Sequence, residues 1–178
     1  SLTFGGRQVV GDGFGVPLIL RYILEFCGTV AEAAEVLKRV PSHMAYNVTA
    51  VDRSGAYITA FVAPDRPTLV RPHPIATNHQ DQIEWAQHAE ATATVARERY
   101  LVAQLSTSGT SVGSLAESFL YPPLFTDAYA KGFGTIYTAL YWPRRGEVEL
   151  RWPGGVAWRQ SFDRFEPGTC ARHFGPKG

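Results

Sequence analysis

Cysteine is scarce in this sequence, with only Cys27 and Cys170 in 178 residues. Two are too few for a disulfide scaffold, and neither stands at a metal-ligand spacing. Reduced, buried thiols are the expected state, with one bridge between them as the alternative. Neither sign of charge dominates. Seventeen basic and sixteen acidic side chains leave a formal net charge of +1, so no electrostatic footprint for nucleic acid is present. Long apolar runs are missing as well: the longest, Gly15 to Leu20, is far too short to span a bilayer, and no basic run suggests a membrane surface. The sequence opens without Met, charged leader or signal-peptide pattern, so the expected compartment is the cytoplasm. Five scattered histidines show no metal spacing; no metal and no cofactor are expected.

What is present suits a folded core. Apolar residues make up 45% and aromatic residues 12% of the chain, and its length fits one domain over residues 1–178. Residues 1–10 read as a strand, a Gly5-Gly6 turn and a second short strand, as if a hairpin partner lay upstream. Gly11 to Gly15 lacks the Lys and Ser/Thr of a phosphate loop and reads as a plain turn. Pro17 fits the first turn of a helix in which Leu18, Ile19, Tyr22, Ile23 and Phe26 recur at helical spacing. Gly28 ends that helix, and Thr29 with Glu32 forms a capping box for a second one. The period then changes: residues 45–51 and 56–62 predict a hairpin turning at Asp52-Arg53-Ser54-Gly55. Short extended pieces follow at 68–71 and 74–77, then a polar loop over 79–93. Helices are expected near 94–105 and 111–119, and a hairpin over 134–152. The order predicts an α+β fold of sheets layered with helices.

The segment Pro74-Ile75-Ala76-Thr77-Asn78-His79-Gln80, read as a strand ending in Thr-Asn-His, resembles the acyl-coenzyme A:6-aminopenicillanic acid acyltransferase family. These are cysteine N-terminal-nucleophile enzymes related to the choloylglycine hydrolases. Leu2-Thr3-Phe4-Gly5-Gly6-Arg7, Pro17 to Glu25, Tyr46-Asn47-Val48-Thr49 with Asp52 and Gly55, Thr94 to Leu101, Gly134 to Thr138, and Trp152-Pro153-Gly154 through Trp158, Ser161 and Phe162 are similar to the same family in the same order. The resemblance implies that the chain is part of an αββα four-layer N-terminal-nucleophile sandwich. The implied partners are a small-molecule amide or acyl substrate and an upstream segment or second chain; a homo-oligomer is compatible.

In such enzymes an N-terminal Cys attacks an amide or thioester carbonyl, with its own α-amine as base. The resulting oxyanion needs oriented donors. By resemblance Asn78 supplies one through its neutral amide. Arg97 matches the family's arginine in a Ser/Thr-x-x-Arg segment, with Arg99 as the alternative alignment. Without the family, Asn78 reads as a turn residue and Arg97 as a member of a solvated helix face. Asn47, inside an apolar strand, either lines the substrate site or is a satisfied core amide. His79 is a candidate substrate contact or a plain loop residue.

The family's nucleophile belongs upstream of the Leu-Thr-Phe-Gly-Gly strand. Neither Cys27, in a core helix, nor Cys170, near the terminus, sits where that chemistry needs a thiol. The expectation is a C-terminal part of an amide hydrolase or acyltransferase, inactive alone, with apolar sheet surface left for a partner to cover. Two alternatives stand beside it: a non-catalytic scaffold that lost its nucleophile, and Ser1 as an autoproteolytically exposed nucleophile carrying its own α-amine.

Overall fold

The computed structural model describes residues 1–174. The chain forms two compact units, residues 1–102 and residues 103 onward. Both mix helix and sheet, as the α+β expectation requires.

In the first unit, strand β1 (Leu2–Phe4) leads through Gly5-Gly6 to helix α1 (Val16–Phe26), which carries proline in its first turn. Helix α2 (Val30–Arg39) begins with the expected capping box: Thr29 accepts from the Glu32 amide while the Glu32 side chain reaches back to the Thr29 amide. Such a cap contributes about 1 kcal/mol. Strands β2 (Tyr46–Val51) and β3 (Tyr57–Val62) form the hairpin at Asp52 to Gly55, and β4 (Leu69–Arg71) completes an antiparallel sheet ordered β1-β2-β3-β4. The strand paired with β1 is β2, downstream of it, in the register Leu2 with Val48, Thr3 with Asn47 and Phe4 with Tyr46.

Alternation along these strands gives the sheet two unlike faces. Val48, Ala60 and Val62 pack with Val16, Ile19 and Ile23 of α1 and with Ala33, Val36 and Leu37 of α2. Each buried Val, Leu or Ile there stabilises the fold by about 1.5–3 kcal/mol. The opposite face carries Thr3, Asn47, Thr49, Thr59 and Phe61, aligned by register. The second face is therefore a mostly polar row, with Phe61 its apolar member.

That row holds residues 73–80. The segment is irregular, with bends at Pro74 and Asn78, and forms no strand, a departure from the strand expected over 74–77. Its carbonyls are satisfied by side chains instead: Thr59 donates to His73 O (2.8 Å), and Thr3 donates to Thr77 O (2.9 Å). The loop expected over 79–93 contains helix α3 (Ala86–Ala91), and helix α4 (Thr94–Ser106) follows.

In the second unit, helix α5 (Val112–Ser118) precedes a 3-10 turn over Tyr129–Lys131. Strands β5 (Thr138–Trp142) and β6 (Glu147–Arg151) form the expected hairpin, and β7 (Trp158–Ser161), not foreseen, extends it to an antiparallel sheet β5-β6-β7. Glu149, 1% exposed at the centre of that sheet, pairs with both Arg151 and Arg159.

Candidate active site

Four of the five residues singled out from sequence meet around the 73–80 segment. Asn78, half-buried, lies between two residues that are held from several directions. From the sheet, the fully buried Asn47 uses both amide hydrogens on the backbone around it, donating to Thr77 O (2.7 Å) and His79 O (2.8 Å). Asn47 therefore has no donor left for a substrate, and its Oδ1 is buried without a partner. Gln80 adds a further tie, donating to the backbone carbonyls of Tyr46 and Val62.

From the helix side, Arg97 Nη1 donates to Asn78 Oδ1 at 3.0 Å. A guanidinium has only donors, so it fixes the amide with oxygen toward Arg97 and turns the NH2 group the other way. Arg99, the alternative alignment, points outward and is exposed. Burial lowers the pKa of Arg97 from its ordinary value, yet a guanidinium remains a cation throughout the neutral range. Its Nε is buried with no partner. The site is thus a neutral amide donor backed by a desolvated positive charge.

His79 is pinned rather than free. Its Nδ1 lies 2.9 Å from Thr94 Oγ1 and 3.2 Å from Thr77 Oγ1, and its Nε2 is 3.3 Å from Glu98 Oε2. A cavity of about 210 Å³ opens beside this group, lined by Phe61, Ile75, Thr77, His79 and Glu98 with the Arg71–Asp81 ion pair. Asn78 and Arg97 are not among its lining residues; the residues on either side of Asn78 are. Thr94, which joins Thr77 to His79, stood in the sequence reading as the start of the helix and of the Ser/Thr-x-x-Arg segment, without a role of its own. Its signal was its place three residues before Arg97 on one helix face.

Ser1 stands apart from this group, as the rung beyond Leu2. Its α-amine donates to Thr49 O (2.6 Å), its carbonyl accepts from Thr49 N (3.0 Å), and burial lowers the amine pKa. Cys27 caps the C-terminus of α1, half-buried, with its thiol pushed up first by burial and then by the Glu32 charge, which disfavours the reactive thiolate. Both cysteines are free and half-buried. Among the described residues no cluster of His, Cys, Asp and Glu could hold a metal ion, and no helix is long and apolar enough to cross a membrane.

No curated protein and no solved structure matches the chain. The family profile described as acyl-coenzyme A:6-aminopenicillanic acid acyl-transferase matches residues 1–156, a span that takes in β1, the Asn78 segment and α4 together. The chain accordingly belongs to the acyl-coenzyme A:6-aminopenicillanic acid acyltransferase family.

Proposed function

We propose that this chain supplies the oxyanion-stabilising half of an amide hydrolase or acyltransferase. That enzyme works through an acyl-enzyme on linear amide or acyl-thioester bonds, with a nucleophile contributed by an upstream segment or a second chain. Family membership supports acyl chemistry as the class. The observation that carries the site is the Arg97–Asn78 bond, which holds the amide oxygen and leaves both amide hydrogens for a developing negative charge.

The steps follow from that geometry. Attack on the substrate carbonyl forms a tetrahedral intermediate, and its oxygen takes the charge. The Asn78 NH2 donates to this oxygen, and the nearby Arg97 cation favours the same charge through a partly desolvated path. Expulsion of the amine or thiol leaves the acyl group on the nucleophile, and water or an acceptor amine removes it. One such donor is worth about 3–4 kcal/mol in the transition state. Asn47 and His79, considered first as substrate contacts, serve in this reading to shape the segment around Asn78. In the intact enzyme this chain would form part of a four-layer αββα sandwich.

The test is covalent trapping on the full gene product. It is incubated with a panel of acyl thioesters and linear amides, quenched in acid and weighed as intact protein. The expected result is a mass increment equal to the acyl group, located on a cysteine outside residues 1–178. Product release with no acyl adduct at any time point would overturn the reading.

A further inference from the structure

We infer that Thr94 is a positioning residue that sets the Asn78 amide against Arg97. Thr94 opens α4, is 0% exposed, and its hydroxyl donates to Thr77 Oγ1 at 2.9 Å while lying 2.9 Å from His79 Nδ1. Thr77 and His79 are the two neighbours of Asn78. A single buried hydroxyl on the helix therefore grips both sides of the residue whose side chain Arg97 holds in the middle.

Helix geometry makes the arrangement one device. Residues at i, i+3 and i+4 share a face, and on α4 these are Thr94, Arg97 and Glu98. Thr94 meets residues 77 and 79, Arg97 meets residue 78, and Glu98 approaches His79 Nε2 at 3.3 Å. The face is registered residue by residue on the segment, with Thr94 as its buried pivot. Hydrogen counting agrees. The Thr94 hydrogen goes to Thr77, so the 2.9 Å contact with the imidazole is made by the ring, with Nδ1–H donating to Thr94 Oγ1.

The chain accepts strain at this joint. Ala93, immediately before Thr94, has φ +49°, the one non-glycine residue in the left-handed region among the described residues. An L-residue there costs about 1–2 kcal/mol. The bond from Arg97 N to Ala93 O (3.0 Å) places the strained residue inside the turn that presents Arg97. Surroundings that hold such a residue over-determine the placement of the next one.

The kinetic consequence rests on the acyl-transfer reading above; the positional claim does not. Thr94→Val keeps the shape and deletes the hydroxyl, whereas Thr94→Ser keeps the hydroxyl. Each is made in the full gene product, and the Asn78 side-chain NH2 resonances are assigned from their loss in Asn78→Ala. Thr94→Val is expected to shift that pair and to lower kcat about tenfold or more with KM within about twofold, since small misplacements in a site cost this much. Thr94→Ser should restore both. Should Thr94→Val fail to fold, Thr77→Val cuts the same bond from the segment side with the same readouts. An unmoved Asn78 pair in the folded Val variant, or a Ser variant as impaired as Val, would overturn the inference. A shifted pair with unchanged kcat would support the positioning and count against the oxyanion role instead.

Discussion

Gly6 and Asn78 press on each other through their backbones: a Cβ built on Gly6 would lie 2.4 Å from the Asn78 carbonyl oxygen, and Gly6 itself has φ +67°. The turn after β1 is therefore a wall of the candidate site. The Gly-Gly pair, read from sequence as a turn and as part of a family-like segment, sets how close Asn78 may come to the sheet.

Gly6→Ala should consequently damage both the site and the fold. The left-handed φ alone costs an alanine about 1–2 kcal/mol, and the methyl would meet backbone at 2.4 Å, so a clear fall in Tm is expected. Displacing Asn78 O by the roughly 1 Å that the new methyl demands should lower kcat by about 100-fold. Steady-state kinetics beside a melting curve decides it; a variant with full turnover would show that Asn78 does not need this wall.

Asn47 offers a contrast, because its two donors hold backbone rather than substrate. Asn47→Asp preserves the shape, deletes both donors and turns a carboxylate toward the carbonyls of Thr77 and His79. A buried polar group so mismatched costs about 1–3 kcal/mol, more when charged. The expectation is a clear drop in Tm together with loss of activity. An Asp variant that melts like the wild type would mean these bonds contribute little.

Much of the fold was legible where the signal is local. The Thr29–Glu32 capping box, Pro17 in the first turn of α1 and the Asp52–Gly55 turn each rest on a few neighbouring residues, and each is found in place. Helix α3 was hidden because Trp85 at its N-cap provides no side-chain hydrogen bond and none of its residues is buried. Residues 74–77 read as a strand from sequence, yet they form none, and the Thr77 carbonyl is held by side chains from strands far off in sequence, Thr3 and Asn47. The site was half legible. Asn78 and Arg97 were named from the family resemblance, but the bond between them spans 19 residues of chain and depends on how α4 docks. Thr94 was in view as the first residue of the Ser/Thr-x-x-Arg segment, and its place three residues before Arg97 could have given it a role.

Acid should loosen the first unit through Arg7. Its guanidinium, buried among them, donates to both Asp65 oxygens at 2.8 Å and to Glu84 at 2.7 Å, and these hydrogen bonds hold both carboxyls below the usual carboxylate range. Groups with depressed folded pKa values contribute stability above their unfolded values near ~4 and lose it as pH falls through the folded ones. Tm should therefore be flat from neutral pH to about 5 and fall steeply below about 4. Arg7→Gln should lower Tm at neutral pH and flatten that acid slope; an unchanged slope would show that the clasp does not couple to folding.

The sharpest separation of structure from chemistry lies in Asn78→Asp. The new carboxylate keeps the shape of the amide and offers an oxygen to Arg97 in place of Oδ1, now as an ion pair with a half-buried cation that has no acidic partner at its Nε. Charge-assisted bonds are roughly twice as strong as neutral ones, so the tether should hold and Tm should stay level or rise. The donor, however, is gone, and a negative group stands where the oxyanion would form. Turnover should fall about 100- to 1,000-fold, the usual cost of losing one oxyanion donor. Asn78→Ala is the companion: it loses the tether as well, so it should lose turnover to a similar extent and lower Tm besides. If Asn78→Asp kept its turnover while Asn78→Ala lost both turnover and stability, the amide would be a structural strut, and the donor that stabilises the oxyanion would have to be sought elsewhere.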